Sequence, residues 1–284
     1  MSKRLRSLAK INLDLRVLGK RPDGFHNIRS VFQTISLADT IEIDYTPARR
    51  LDIHLDSKPA IPGNLVEKAA QALAIPGRFA IRLTKRIPMG AGLGGGSSNA
   101  AAMLLAIPAL TGKRVAIRDL VKIGAQLGSD VPFFLIGGTA LGLDRGTELH
   151  PLPDLPPWAA LIVVPGIHVS TAEAYRALNR GPDRGEAAMN DERPANDFES
   201  VVFRQHPQLK SIKQKLRKCG ADLALMSGSG SSIFGIFAQR DTRDTAAAEF
   251  RNKFGRDKVF AVSLVGRGRY RSLWHRQLGA STDW

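Results

Sequence analysis

The chain has 284 residues, with 41 Lys and Arg against 26 Asp and Glu, a formal net charge of +15, and a single cysteine. That length is enough to bury a real core and suits two domains rather than one. One cysteine excludes a disulfide framework, no apolar run is long enough to cross a membrane, and no leader pattern is visible, so a soluble cytoplasmic protein is expected.

Residues 9–17 alternate strictly. Ile11, Leu13, Leu15 and Val17 share one face, and Lys10, Asn12, Asp14 and Arg16 share the other. This is the period of a half-buried strand, with Lys10 and Asn12 pointing the same way. Taken alone, the polar face reads as the solvated side of a basic edge strand. Gly19-Lys20-Arg21-Pro22-Asp23-Gly24 is a turn, and strands follow over 31–37, 40–45 and 51–55. On local grounds Phe25 and Phe32 read as core and His26 as a surface histidine. Asn64, with Glu67 three residues on, opens a helix over 65–74.

A strand over 79–85 then runs into Pro88-Met89-Gly90-Ala91-Gly92-Leu93-Gly94-Gly95-Gly96-Ser97-Ser98, and a helix over 100–110 follows. Five glycines in seven residues exceed what a turn requires. Glycines let the backbone turn its amides toward a ligand, and a helix start adds partial positive charge, so the stretch suits a phosphate. Ser97 or Ser98 is the expected N-cap. Gly90, Gly92 and Gly95 satisfy a dinucleotide fingerprint, but its acidic partner is wanting, and no Gly-Lys-Ser/Thr closes a Walker loop. A Cβ at Gly94 or Gly95 is expected to block phosphate and leave the fold largely intact.

Leu120, Ile123 and Leu127 mark a helix that Gly128 ends, and Pro132 fits the first turn of the next. Asp130 then sits at a helix start, where local sequence favours a capping role. Prolines crowd 151–157, which places a boundary between domains 1–152 and 153–284, with a return of the last strand or tail to the N-terminal domain left open. Beyond it come a buried strand over 161–164, a helix opened by Ser170 and Glu173, a loop over 180–194, and a second capping pattern at Asn196 and Glu199. A helix carries Leu209, Ile212 and Leu216. Strands over 223–226 and 233–237 flank the small-residue loop 227–232, and a helix over 242–254 and a strand over 259–265 follow. The class is α+β. The densest basic patch is 266–271. It invites nucleic acid, but the basic residues are otherwise scattered, and the reading set against nucleic acid is a solvated basic surface that also steers small anions.

Three elements together resemble the superfamily of galactokinase, homoserine kinase, mevalonate kinase and phosphomevalonate kinase. They are Ala9-Lys10-Ile11-Asn12-Leu13 with Arg21-Pro22-Asp23-Gly24-Phe25-His26, the loop from Pro88 to Ser98, and Ser227-Gly228-Ser229-Gly230. The N-terminal motif and Gly128-Ser129-Asp130-Val131-Pro132 are most similar to the branch that phosphorylates a cytidine-diphosphate-linked methylerythritol in the non-mevalonate isoprenoid route. The resemblance implies a ribosomal-protein-like N-terminal domain and a ferredoxin-like C-terminal one, with ATP and a small-molecule substrate meeting between them. It implies Lys10 and Asp130 as the catalytic pair, and residues 88–98, Leu65 and Lys85 around ATP. Asn12, Phe25, His26, Phe32, Thr171, Tyr175, Gly228 and Ser229 are implied around the acceptor. Magnesium is implied on the phosphates, with Ser98 as the one side chain considered for it and its ligands otherwise unknown. Position 25 is Phe where the branch often has Tyr, and 175 is Tyr where Phe occurs, so each keeps an aromatic face.

Overall fold

The computed structural model describes residues 1–179 and 193–279, so most of the loop expected over 180–194 lies outside them. The N-terminal sheet contains β1 (Ser2–Lys20), β2 (His26–Thr46), β3 (Leu51–Lys58), β4 (Gly77–Thr84), β5 (Thr139–Leu143) and β6 (Glu148–Pro151). Its order is β3-β4-β2-β5-β6, and β1 pairs with the other edge of β2. The strands expected separately over 31–37 and 40–45 are one. Within this strand the pairing with β1 slips, Leu8 opposing Ala38 and Lys10 opposing Thr34. A bulge of this kind shifts the register without ending the strand, and the inward alternation of Ile35, Leu37, Asp39, Ile41 and Ile43 runs on through it.

Helices α1 (Leu65–Leu73), α2 (Gly95–Thr111), α3 (Ile117–Leu127) and α4 (Val131–Ile136) belong to this domain, with α1 crossing between the parallel strands β3 and β4. Asn64 caps α1 through Val66 N. Helix α2 is buried from Ser98 to Pro108 and joins Ile41, Ile43, Phe79 and Ile81 in the main core.

Residues 152–158 lead to a second sheet of β7 (Ala159–Val163), β8 (Leu223–Met226), β9 (Ile233–Phe237) and β10 (Val259–Ser263), with α5 (Thr171–Leu178), α6 (Glu199–Gln205), α7 (Pro207–Lys218) and α8 (Arg240–Phe254). The antiparallel order β10-β7-β9-β8 over a β-α-β-β-α-β path is that of a ferredoxin-like fold. One face of β7, with Leu161 and Val163, packs on its own helices. The other, with Ala160 and Ile162, packs on Ile11, Leu13, Ile35 and Leu37 of the N-terminal sheet. The two domains therefore share a dry layer, which explains the apolar run in β7.

The basic stretch at 266–271 opens a last helix, α9 (Arg267–Leu278). Tyr270, Trp274 and Leu278 are buried in the N-terminal core, and the Tyr270 hydroxyl donates to Phe134 O at 2.5 Å. Among the described residues no helix is long and apolar enough to cross a membrane.

Candidate active site

The polar face of β1 is not solvated, contrary to the local reading. Lys10, Asn12 and Asp14 are all buried. The glycine loop crosses over this strand, with Lys10 N donating to Leu93 O at 3.0 Å. The Lys10 ammonium donates to Asn12 Oδ1 at 2.8 Å and lies 5.4 Å from the Phe32 ring centre. Asn12 Nδ2 donates to Ser30 Oγ at 2.7 Å, and Ser30 Oγ donates to Asp14 O at 2.8 Å. This relay holds Lys10 in one direction.

That direction is toward Asp130. Lys10 Nζ is 3.2 Å from Asp130 Oδ2, with side-chain exposures of 4% and 32%. Asp130 occupies the N-cap position of α4, yet its side chain caps nothing. The capping role favoured by local sequence is therefore absent. The carboxylate is turned instead into a cleft of about 1110 Å³ that the ammonium also lines.

The glycine loop forms one wall. Helix α2 begins at Gly95, with Gly94 at the N-cap in a left-handed conformation and no side chain on the first-turn amides. This corrects the expectation that Ser97 or Ser98 caps the helix. A glycine cap leaves those amides for a ligand, at the positive end of a helix of 17 residues. Gly90, Gly92, Gly94 and Ser97 line the cleft. Ser98 does not; its hydroxyl is buried and donates to Leu8 O at 2.7 Å. A Cβ at Gly94 would fall 2.8 Å from the Phe134 ring, and one at Gly95 2.9 Å from Ile87. Substitution at either position would disturb packing as well as phosphate access, so the expectation of an intact fold does not hold.

Other residues expected around the nucleotide lie behind the loop. Ala91 and Leu93 are buried in the interdomain layer. Lys85, Pro88 and Met89 line a second groove of about 1150 Å³, between the loop and α8 and β10. Leu65 lies beside Gly96, 3.7 Å from where its Cβ would be.

Asp39 is a residue that sequence reasoning missed. It is fully buried and accepts from Arg86 N at 2.7 Å, Ile87 N at 2.8 Å, Asn99 Nδ2 at 3.0 Å, and the Lys85 ammonium. Lys85 also donates to Asn99 Oδ1 at 2.9 Å. One carboxylate thus ties β2 to the entry of the glycine loop and to α2. The signal was legible: Ile35, Leu37, Asp39, Ile41 and Ile43 alternate, and only Asp39 is polar.

The opposite wall carries the aromatic set. His26 and Tyr175 are stacked, with centroids 4.6 Å apart, and Tyr175 meets Phe198 edge-on at 4.8 Å. Burial, aided by the Asp130 charge, pushes the Tyr175 hydroxyl up to about 12. Burial, aided by Lys20, lowers the pKa of His26 from its ordinary 6.5. Phe25 is 53% exposed at the turn tip, its ring 5.0 Å from the Arg145 guanidinium. Neither Phe25 nor His26 follows its local reading as core or plain surface, because both line the cleft. Phe32 lines it too while packing on Phe133, with centroids 5.2 Å apart.

The late small-residue loop closes the cleft. Thr171 Oγ1 and Ser229 Oγ are 2.8 Å apart, and Gly228 and Ser229 line the space. Ser227 Oγ donates to Gly92 O at 2.9 Å, so the two loops touch. The capping pattern at Asn196 and Glu199 is used differently from expectation, since α6 starts with Phe198 at its N-cap. Asn196 Oδ1 accepts from Phe198 N at 2.9 Å.

Residues 64–138 match the family of GHMP kinases N terminal domains, and residues 174–257 match GHMP kinases C terminal domains. A 4-diphosphocytidyl-2-C-methyl-D-erythritol kinase from Solibacter usitatus is 52% identical, covering 98% of this chain and 93% of its own. A crystal structure of 4-(cytidine 5'-diphospho)-2C-methyl-D-erythritol kinase superposes with a TM-score of 0.78 at 38% identity, covering 93% of this chain and 99% of that one. A homoserine kinase from Cytophaga hutchinsonii shares the fold, with a TM-score of 0.68 at 20% identity, covering 94% of this chain and 95% of that one. With that similarity over nearly its whole length, the chain belongs to the 4-diphosphocytidyl-2-C-methyl-D-erythritol kinase family, a branch of the GHMP kinases.

Proposed function

We propose that the chain transfers the γ-phosphoryl group of ATP to the 2-hydroxyl of 4-diphosphocytidyl-2-C-methyl-D-erythritol, giving the 2-phosphate and ADP, a step of isoprenoid precursor synthesis. The observation that carries this reading is the Lys10–Asp130 pair, 3.2 Å apart, set beside an uncapped helix start and facing an aromatic wall. Phosphoryl transfer demands alignment and charge stabilisation more than covalent catalysis. In this reading the glycine loop and the first-turn amides of α2 hold the nucleotide phosphates. Asp130 accepts the proton of the acceptor hydroxyl as its oxygen bonds to phosphorus and the bond to ADP breaks. Lys10 keeps the carboxylate turned to the acceptor and offsets negative charge on the transferred group. Thr171, Ser229 and Asn12 offer polar contacts to the acceptor, and the faces of Phe25, His26 and Tyr175 suit a pyrimidine.

Among the described residues no cluster of three His, Cys, Asp or Glu could hold a metal ion by itself. Ser98, the side chain considered for magnesium, is buried and bound to Leu8 O, whereas the hydroxyl of Ser97 lines the cleft beside the glycine loop and fits a magnesium ion that arrives on the phosphates. Bound there, magnesium would offset the phosphate charge. The test is turnover with ATP and magnesium, comparing the cytidine-linked acceptor with mevalonate and homoserine. Turnover of the cytidine-linked acceptor alone supports the reading, and a preference for either other alcohol contradicts it.

A further inference from the structure

Asn196 is 4% exposed and belongs to neither the glycine loop nor the catalytic pair. Its segment runs along the edge of β1, with Leu15 N donating to Ala195 O at 2.8 Å and Asp197 N donating to Leu15 O at 3.0 Å. From this fixed base the Asn196 carboxamide donates to Met226 O at 2.7 Å and to Gly228 O at 2.8 Å. Its oxygen accepts from Phe198 N, and the Phe198 ring packs against Tyr175. A primary amide has two N–H donors and an acceptor, so every group on this side chain is used.

The placement of these bonds matters more than their number. Gly228 belongs to the loop that meets the glycine loop, where Ser227 Oγ binds Gly92 O and a Cβ on Gly92 would fall 2.0 Å from Ser227 O. Phe198 backs the aromatic wall. One carboxamide therefore connects the wall that faces the acceptor to the loop that abuts the phosphate site. We infer that Asn196 is a positioning residue for phosphoryl transfer, fixing the acceptor wall relative to the phosphate loop. The inference rests on the kinase reading above and adds a residue to it. A misplacement of about 1 Å costs on the order of 10²-fold in rate, so loss of this tie should appear in kcat.

Glu199 supplies the comparison. Its Oε1 accepts from Met226 N at 2.8 Å, anchoring the same strand end without touching Gly228 or Phe198 N. Asn196→Ala, Asn196→Ser and Glu199→Gln are assayed with ATP, magnesium and 4-diphosphocytidyl-2-C-methyl-D-erythritol. The readouts are kcat, both KM values, melting temperature, and ATP consumed per acceptor phosphorylated. For Asn196→Ala, kcat falls roughly 10- to 100-fold and ATP hydrolysis uncouples from transfer, while KM for ATP stays within about twofold. Asn196→Ser retains an acceptor for Phe198 N and less of the donation, so its effect is intermediate and it guards against misfolding of the alanine variant. Glu199→Gln keeps an acceptor for Met226 N but loses the ion pair with Lys213, so it lowers the melting temperature without uncoupling. Lower melting temperatures with unchanged kcat and coupling in both Asn196 variants overturn the inference, as does equal uncoupling in Glu199→Gln. A wild-type chain that does not phosphorylate the acceptor overturns the kinase reading as well, which separates the two failures.

Discussion

The two walls of the cleft are built by different means. The phosphate wall is backbone and buried charge: glycines at positive φ, Lys10 under the loop, and Asp39 holding Arg86 N and Ile87 N. The acceptor wall is side-chain faces: a turn-tip Phe25, a His26–Tyr175 stack, and a hydroxyl pair between Thr171 and Ser229. Pre-organised dipoles and charges need no rearrangement when charge develops on the transferred group. Stacked rings can part and re-form around a base at modest cost. Changes to the first wall should therefore cost folding and kcat together, and changes to the second should cost acceptor affinity alone.

Gly92→Ala is the severest way to break that contrast. Its Cβ would meet Ser227 O at 2.0 Å, at a φ of +77°. Left-handed strain plus overpacking predicts a loss of roughly 2–6 kcal/mol, with melting temperature and kcat falling together. Asp39→Ala comes next. It leaves the buried Lys85 ammonium without its carboxylate, which costs about 3–5 kcal/mol in chemical denaturation. A stable Asp39→Ala with normal ATP affinity would mean that the loop entry is not held this way.

On the acceptor wall, Tyr175→Ala with Phe25→Ala should raise KM for the cytidine-linked acceptor. Base stacking on an aromatic ring is worth roughly 1–3 kcal/mol, or about 5- to 150-fold, and ATP affinity should be nearly unchanged. Equal loss of both ligands would make these rings structural. The smallest effect concerns His26. Its folded pKa lies below 6.5, so under acid the unfolded chain takes up a proton that the folded chain resists. Stability from this group is present above about pH 6.5 and falls as pH drops below it. Melting temperatures between pH 7 and 5 should decline less in His26→Phe than in the wild type, and equal slopes would remove the effect.

Sequence exposed most of this architecture where period and side-chain type coincide. The β1 alternation, the strand–glycine loop–helix passage and the Asn64 cap were all readable in sequence order. What resisted reading was set by distant partners. Whether the Lys10 face meets water depends on a loop some eighty residues away, and Asp39, a polar residue on the buried face of β2, made one strand resemble two. Helix α9 hid behind its arginines, although Tyr270, Trp274 and Leu278 already carried a helical spacing. Asp130 gave no local sign that its carboxylate would leave the helix end, because Lys10 reaches it from β1.

The central claim is that Asp130 acts on the acceptor through its charge, and Asp130→Asn tests it most directly. The side chain caps nothing, so no cap is lost. The amide does take the charge partner from the buried Lys10 ammonium, which lowers the melting temperature less than Asp39→Ala does, because Lys10 keeps Asn12 Oδ1 and Asp130 is itself about a third exposed. As proton acceptor its loss lowers kcat on the order of 10²–10⁴-fold. Binding of both ligands should survive, because the interaction belongs mainly to the transition state. Lys10→Met should also lower kcat, and the double variant should lose less than the product of the two. The measurement is kcat for the three variants, with ligand affinities and melting temperatures alongside. A large fall in kcat with both ligands still bound is the predicted result, and near-normal turnover in Asp130→Asn would contradict the account.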